Sequence, residues 1–555
     1  MLIDRLAGAV PAHAWPTITV AGAVMVVVLL MRYLDYDKKV EVPVIGPGGR
    51  FTKWLGAIRN VWYAREAIHE VANGQHGKLG FQIPTMTRMD VFICDRALTR
   101  EYYSLDEDHM SFRAVMSEEF QFKWLLPGQH HDVHRIPNSV IAKALSWQRT
   151  RASKADDPFF REFSAEFLYG FQEEMRAFTG CGNKSRLPFF SHAGDHTSGN
   201  SGWIAAPCFP LALKVIARLT TKSLFGEPLC RNPKFLDMCC EFGDAVPRDA
   251  MILRCFPDFI RPLLARFLAA PRGVKELQTV VLNEITSRRN SREKNPMKDL
   301  LDFSINWIDE HSADGWEDWH IADMMTNTVF AALHTSSQLV THTLFELATR
   351  PEYVVPLREE IRQCFALYGN GTKAAIDAMH KMDSFIKETQ RCNPLDASAL
   401  ARLVLKPYTF SNGLHVPKGS FIFTPNSPLF EDEQFYEDAK RFDGLRFARM
   451  RDDPKRKSDS PMTATSEYSM HFGIGRHACP GRYMVSDEVK LVMVHLLLHY
   501  DFAMANFGPR PKNMAFGKFI LPDMQAKVWL RKSKDAGNTA RVDPGAPDGV
   551  ASEPS

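Results

Sequence analysis

Apolar positions are concentrated without interruption at two places in the chain. The first is WPTITVAGAVMVVVLL, from Trp15 to Leu30, and no Asp, Glu, Lys or Arg stands between Arg5 and Arg32. A helix needs about 20 apolar residues to cross a bilayer's hydrocarbon layer, which predicts a transmembrane anchor over 15–34 behind a short lumenal N-terminus at 1–14. Arg32, Lys38 and Lys39 flank it downstream, whereas Arg5 upstream is offset by Asp4. The positive-inside tendency then puts everything after the anchor in the cytosol. A cleaved signal peptide fits less well, because no small-residue cleavage site follows the apolar core and the region before it is not basic. VEVPVIGPGG comes next, with Pro43 and Pro47 interrupting helix and strand alike, and reads as a hinge at 35–50.

The second apolar stretch, Ile321 to Thr349, contains neither proline nor glycine and is apolar on several sides. It predicts one helix of about 44 Å crossing the interior, stopped by Pro351. Short runs with strand character, such as Met89–Ile93, predict a small sheet within 51 to about 110. LVLKPYTFSNGLHVPKGSFIF, with turns at Asn412-Gly413 and Lys418-Gly419, predicts a second sheet element. From Gly180 through Gly202 the chain is a polar loop without apolar periodicity, and the helical pattern resumes at Trp203. The tail at 533–555, rich in Ala, Gly, Pro and Asp, predicts disorder. The expected class is mainly α with small β-sheets, in one catalytic domain over 51–532.

Composition narrows the function. With 45% apolar and 24% charged residues the chain has material for a large core. A formal charge of +3 with scattered basic residues predicts no nucleic-acid partner. Ten cysteines occur with no CxxC pair, which fits neither a zinc site nor a disulfide scaffold. Most read as small core residues in a reduced compartment.

Cys479 stands apart. HFGIGRHACPGRYM places Phe472, Gly475, Cys479 and Gly481 in the pattern FxxGxxxCxG. Glycines let backbone amides approach a sulfur, Phe472 offers an apolar flank, and a helical pattern starts at Arg482 beside the cysteine. The positive end of that helix favours a thiolate, the form that binds metal. For an isolated cysteine, burial at a tight turn is the commoner explanation; the surrounding pattern weighs against it here. This stretch resembles the haem-binding loop of the cytochrome P-450 family, and the resemblance makes Cys479 the axial ligand of the iron in haem b. It also implies that Arg476 or His477 touches a haem propionate.

Further elements fit the same resemblance. Glu388 and Arg391, in KETQRCNP, match the family's Glu-x-x-Arg pair; Glu173/Arg176 and Glu359/Arg362 have the same spacing, but only the first runs into Asn393-Pro394 ahead of the cysteine loop. Arg446 would complete a buried triad supporting the haem face, and Arg402 matches another propionate contact. AALHTSS resembles the oxygen-binding stretch, with Ala332, His334 and Thr335 where the family has a small residue, an acid and a threonine. The acid is thus replaced by a histidine that can still relay protons, and Thr335 would hydrogen-bond dioxygen. A threonine in a buried helix otherwise just bonds the carbonyl one turn back. Where the family has Trp-x-x-x-Arg, this chain offers His131 with Arg135 or Trp147 with Arg151; PNSVIAKAL favours the first, and TKSLFGEPLCRNPKF is similar to fungal enzymes of secondary metabolism.

The resemblance implies a monooxygenase of the endoplasmic reticulum membrane, single-pass and facing the cytosol. O2 is the co-substrate, and NADPH electrons arrive through a separate NADPH-cytochrome reductase, since no nucleotide-binding GxGxxG is evident. A lipophilic substrate, a terpenoid or related fungal metabolite, would lie near Phe112, Ala331 and Leu395–Ala399. Two other readings keep some of the motifs: a non-catalytic haem sensor or carrier, which needs no Thr335, and a membrane scaffold with degenerate haem motifs.

Overall fold

In a computed structural model, the described residues are 40–46, 53–74, 79–126, 138–154, 158–178, 202–291, 297–311, 315–505 and 508–533. Among them no helix is long and apolar enough to cross a membrane. The predicted anchor at 15–34 lies outside them, as do most of the polar loop and nearly all of the tail. The chain divides into two units, the smaller made of 1–127, 246–271 and 401–424, and the larger of the remainder.

The strands of the two main sheets are β1 (Gly80–Pro84), β2 (Met89–Ile93), β3 (Met110–Ser111), β4 (Ile204–Pro207), β5 (Ser398–Val404), β6 (Phe421–Pro425), β7 (Tyr500–Met504) and β8 (Lys527–Lys532). In the smaller unit helix α1 (Lys53–Ala72) precedes a sheet of order β1-β2-β6-β5-β3. The expected early sheet therefore exists, but two of its strands come from far along the chain. Parallel pairing of β2 with β6 sets Phe92 opposite Phe423, and a stack of Phe81, Phe92 and Phe423 rings fills one face. Val40–Gly46 is held to β1: Gln82 Nε2 donates to the carbonyls of Val40 and Val42. The turns at Gly413 (φ +89°) and Gly419 (φ +80°) adopt left-handed backbone, as the Asn-Gly and Lys-Gly pairs predict.

The larger unit is built on helices. Those used below are α2 (Phe159–Phe178), α3 (Cys208–Phe225), α4 (Pro233–Arg254), α5 (Asp318–Thr349), α6 (His380–Cys392) and α7 (Arg482–His499). Helix α5 is the long apolar helix of the sequence, begun one turn earlier than expected. Glu317 and His320 cap it reciprocally, and it ends before Pro351. Where helix was expected from Trp203, the chain first forms β4, which lies at the edge of the sheet β4-β8-β7. Pro207, with no N–H to donate, is tolerated at an edge and closes the strand, and α3 starts at Cys208.

Helices α3, α5 and α7 pack together around a fully buried acid. Thr220 Oγ1 on α3 donates to Glu488 Oε1 of α7 at 2.9 Å, with the Ser336 hydroxyl of α5 beside it. Burial raises the Glu488 carboxyl to about 8, against smaller lowering by those two hydroxyls. The folded state therefore holds a proton that the unfolded chain releases near its ordinary value of 4.5. This contribution is complete below that value, declines as pH rises towards 8, and is flat above it. Glu488→Gln, which cannot ionise, should accordingly gain at least about 1 kcal/mol over the native chain at pH 8 and little at pH 4.5. Urea unfolding at the two pH values measures it, and a gain that is equal at both contradicts the assignment.

Candidate active site

The loop before α7 is shaped by its hydrogen bonds. Cys479 N donates to Phe472 O at 2.7 Å, and Ala478 N to Gly475 O at 3.1 Å, closing the segment that runs from Phe472 to Cys479. Gly473 (φ +69°) and Gly475 (φ +64°) take left-handed backbone inside it. A side chain at 473 would also bring its Cβ to 3.0 Å from the His477 carbonyl. Gly475–His477 forms one 3-10 turn, with Arg476 exposed and His477 half-buried.

Helix α7 has no capping side chain of the usual oxygen type. Its first amides, those of Gly481 and Arg482, point instead at the Cys479 sulfur, which acts as their acceptor. Burial raises the thiol's pKa, while these two N–H groups and the Arg482 charge draw it down. Arg482 Nη1 also donates to the Cys479 carbonyl at 2.7 Å, fixing the turn from the opposite side. A Cβ on Gly481 would lie 3.9 Å from the sulfur, an ordinary contact. Cys208, Cys230, Cys239, Cys240 and Cys364 are buried; Cys94, Cys392 and Cys479 are half-buried and Cys255 is exposed, so it is the amides facing its sulfur, not accessibility, that set Cys479 apart. Two amide donors, a helix N-terminus and a reachable sulfur form a donor set that suits a thiolate bonded to iron.

On α5, Thr335 Oγ1 donates to Ala331 O at 2.9 Å. That bond is not distinctive, since Thr326, Ser337, Thr341 and Thr343 make it too. Exposure separates them: those four are buried, but Thr335 and Ala331, one turn apart, are exposed on a helix that is otherwise mostly buried. His334 turns elsewhere, with Nε2 2.8 Å from Asp244 Oδ1 on α4.

Behind the loop, α6 stops at Asn393 because Pro394 disfavours helical backbone in the residue before it. Its Glu388 and Arg391 lie on one face. Arg391 Nε and Nη2 donate to the Glu388 carboxylate at 2.8 and 2.7 Å, and Nη1 reaches the carbonyls of Phe430 and Ala439. Arg446 Nε adds a contact at 3.3 Å to Glu388 Oε1, and its Nη2 donates to the Arg441 carbonyl. All three side chains are buried. Burial opposes the Arg391 charge, but its bonds to Glu388 outweigh this and hold the guanidinium above its ordinary pKa. By contrast Glu173 and Arg176 form an exposed pair.

Arg402 and Phe112 belong to the smaller unit, where the buried Arg402 guanidinium stands 5.9 Å from the Phe112 ring centre. His131 and Arg135 lie outside the described residues. Trp147 and Arg151 pack on each other and on neighbours: the guanidinium is 5.1 Å from the indole, Arg151 Nη1 donates to Met297 O, and Trp147 meets Phe303. Sequence reasoning passed over Asp244 and Glu488. Glu488 had a signal, an acid between Val485 and Val489 on an apolar helix; Asp244 had none, because its partner lies far along the chain.

The cytochrome P450 family profile matches residues 204–530, more than half of the chain. The chain is 62% identical over 524 residues to the cytochrome P450 monooxygenase ltmQ of Epichloe festucae var. lolii, covering 94% of this chain and 97% of that relative. It is 38% identical to the monooxygenase paxQ of Penicillium paxilli over 96% of this chain and 99% of the relative. To janQ of Penicillium janthinellum it is 39% identical, over 89% and 94% respectively.

Removing Arg391 strands the Glu388 carboxylate in the interior, so Arg391→Ala should cost about 3–5 kcal/mol of stability. Arg446→Ala, which removes the longer contact and bonds to nearby carbonyls but leaves the two-bond Arg391 pair on Glu388 intact, should cost less. Urea unfolding ranks the two, and an equal or reversed order contradicts this division of the triad.

Proposed function

The chain belongs to the cytochrome P450 family and is a monooxygenase, and from that premise we propose that it inserts one atom of O2 into a lipophilic fungal metabolite, a terpenoid or a related molecule. When bound on Cys479, haem b supplies the cleavage of O2 and the transfer of one oxygen atom. The observation that carries the reading is the half-buried Cys479 sulfur accepting the first amides of α7.

The chain's own residues do the rest. The Gly481 and Arg482 amides hold negative charge on the sulfur and orient it. Thr335, exposed beside Ala331, offers a hydroxyl that, once it leaves the Ala331 carbonyl, would hold and pass on a proton at Oγ1. The Glu388/Arg391/Arg446 triad stiffens the segment leading to the cysteine loop. Either Arg476 or His477 on the adjacent turn is suited to a propionate, and Arg402 to another. Ala331 and Leu395–Ala399 are the proposed substrate contacts in the larger unit.

Electrons are proposed to come from NADPH through a separate membrane reductase. Attachment to the endoplasmic reticulum with the body in the cytosol is supported by the uncharged run 15–30 and the basic residues after it. Trp54, Leu55, Ile58 and Trp62 on α1, exposed in the smaller unit, suit an interfacial position.

Full-length protein with NADPH, reductase and extracts of candidate terpenoid precursors under 18O2 should give a product one labelled oxygen heavier. Label drawn from water, or product formed equally without reductase, contradicts the reading. In the same assay Thr335→Ala should lower product per NADPH several-fold while NADPH oxidation continues and peroxide accumulates; unchanged coupling removes Thr335 from proton delivery.

A further inference from the structure

Beside Thr335, helix α5 makes a polar contact that leaves its own helix. His334, next to Thr335, points at α4 rather than along its own helix, and its Nε2 lies 2.8 Å from Asp244 Oδ1. The berth is specific. A Cβ at Gly243 would fall 2.3 Å from His334 Cε1 and 2.5 Å from Nδ1, so the ring edge lies against a backbone that only glycine leaves open. Phe209 of α3 borders the ring at 6.3 Å between centres. His334 Nδ1 is buried with no hydrogen-bond partner among the described residues. The Asp244 side chain, by contrast, is 64% exposed.

We propose that Asp244 is a positioning residue that pairs with His334 to make a two-residue proton relay between solvent and Thr335, with the acid supplied by α4 instead of α5. This rests on the monooxygenase reading above. The carboxylate accepts from Nε2–H, which fixes the neutral tautomer with its lone pair on Nδ1. Nδ1 is buried against Gly243, so the ring first turns about its Cβ–Cγ bond out of that berth, and a solvent proton taken up at Nδ1 there gives an imidazolium beside the Asp244 carboxylate. In this turned position the Nδ1 proton is presented towards Thr335. Thr335 Oγ accepts it while passing its own hydrogen inward. The neutral ring then turns back and Asp244 resets the tautomer, so one proton moves per passage and no electrons do.

The surroundings leave Asp244 as the main electrostatic control. Residues one turn away on α5, Phe330 and Gln338, are uncharged. On α4, Cys240 and Asp237 lie one and two turns before Asp244, and on α3 Lys214 is balanced by Glu174 at 3.4 Å.

The test uses full-length holoenzyme with 15N-labelled histidine, in the diamagnetic ferrous carbon monoxide form, and follows the His334 ring resonances against pH. In the native chain His334 should show the Nε2–H tautomer. Asp244→Asn, which removes the carboxylate acceptor, should lose this fixed tautomer and show a mixture of the two neutral forms. Product per NADPH should fall several-fold with haem content unchanged. Gly243→Ala, which pushes the ring from its berth, should act in the same direction. In a His334→Gln background, Asp244→Asn should change coupling less than about two-fold, since the two act in series. An unchanged tautomer and coupling in Asp244→Asn, or a full effect of that change in the His334→Gln background, overturns the relay. Absence of product from the native chain, with Asp244 still setting the His334 tautomer, would overturn the monooxygenase reading and the relay while the pairing itself survives.

Discussion

A sulfur anion held away from water is unstable unless donors face it, and the whole site follows from meeting that need. Here the donors are the two leading amides of α7, groups that every helix leaves without an internal partner. Using them requires the chain to turn back sharply just before the helix. That turn requires left-handed backbone at Gly473 and Gly475 and the bond from Cys479 N to Phe472 O. The turn in turn needs a rigid support, and the buried Glu388, Arg391 and Arg446 cluster ties α6 to the segment that leads into the loop.

The same helix that presents the sulfur also secures the opposite wall. Through Glu488, α7 is joined to Thr220 of α3 and lies beside Ser336 of α5. Ser336 is the immediate neighbour of Thr335, so the helix carrying the ligand and the helix carrying the exposed hydroxyl are linked through one neutral acid. A buried carboxyl kept protonated can donate as well as accept, which lets it join several elements without carrying charge into the core.

What could be read in the sequence was whatever depends on near neighbours. The length and ending of α5 were legible because an unbroken apolar run and Pro351 are local facts. The cysteine loop was legible because its glycines answer to backbone angles a few residues away. Strand β4 was not, since four residues before a helix take strand form only when β8, far along the chain, pairs with them. Nor was Asp244, whose role depends on α4 lying against α5. In AALHTSS a histidine replaces the acid, as the sequence shows; what the sequence did not show is that this histidine meets a carboxylate from another helix.

The account stands or falls on a bond between Cys479 and iron. The absorption spectrum of the reduced full-length protein under carbon monoxide, compared with that of Cys479→Ala, tests it most directly. The account predicts the strongly red-shifted Soret band that thiolate ligation gives, present in the native chain and missing from the variant. A native spectrum without that band, or a variant that keeps it, would contradict the assignment of this sulfur.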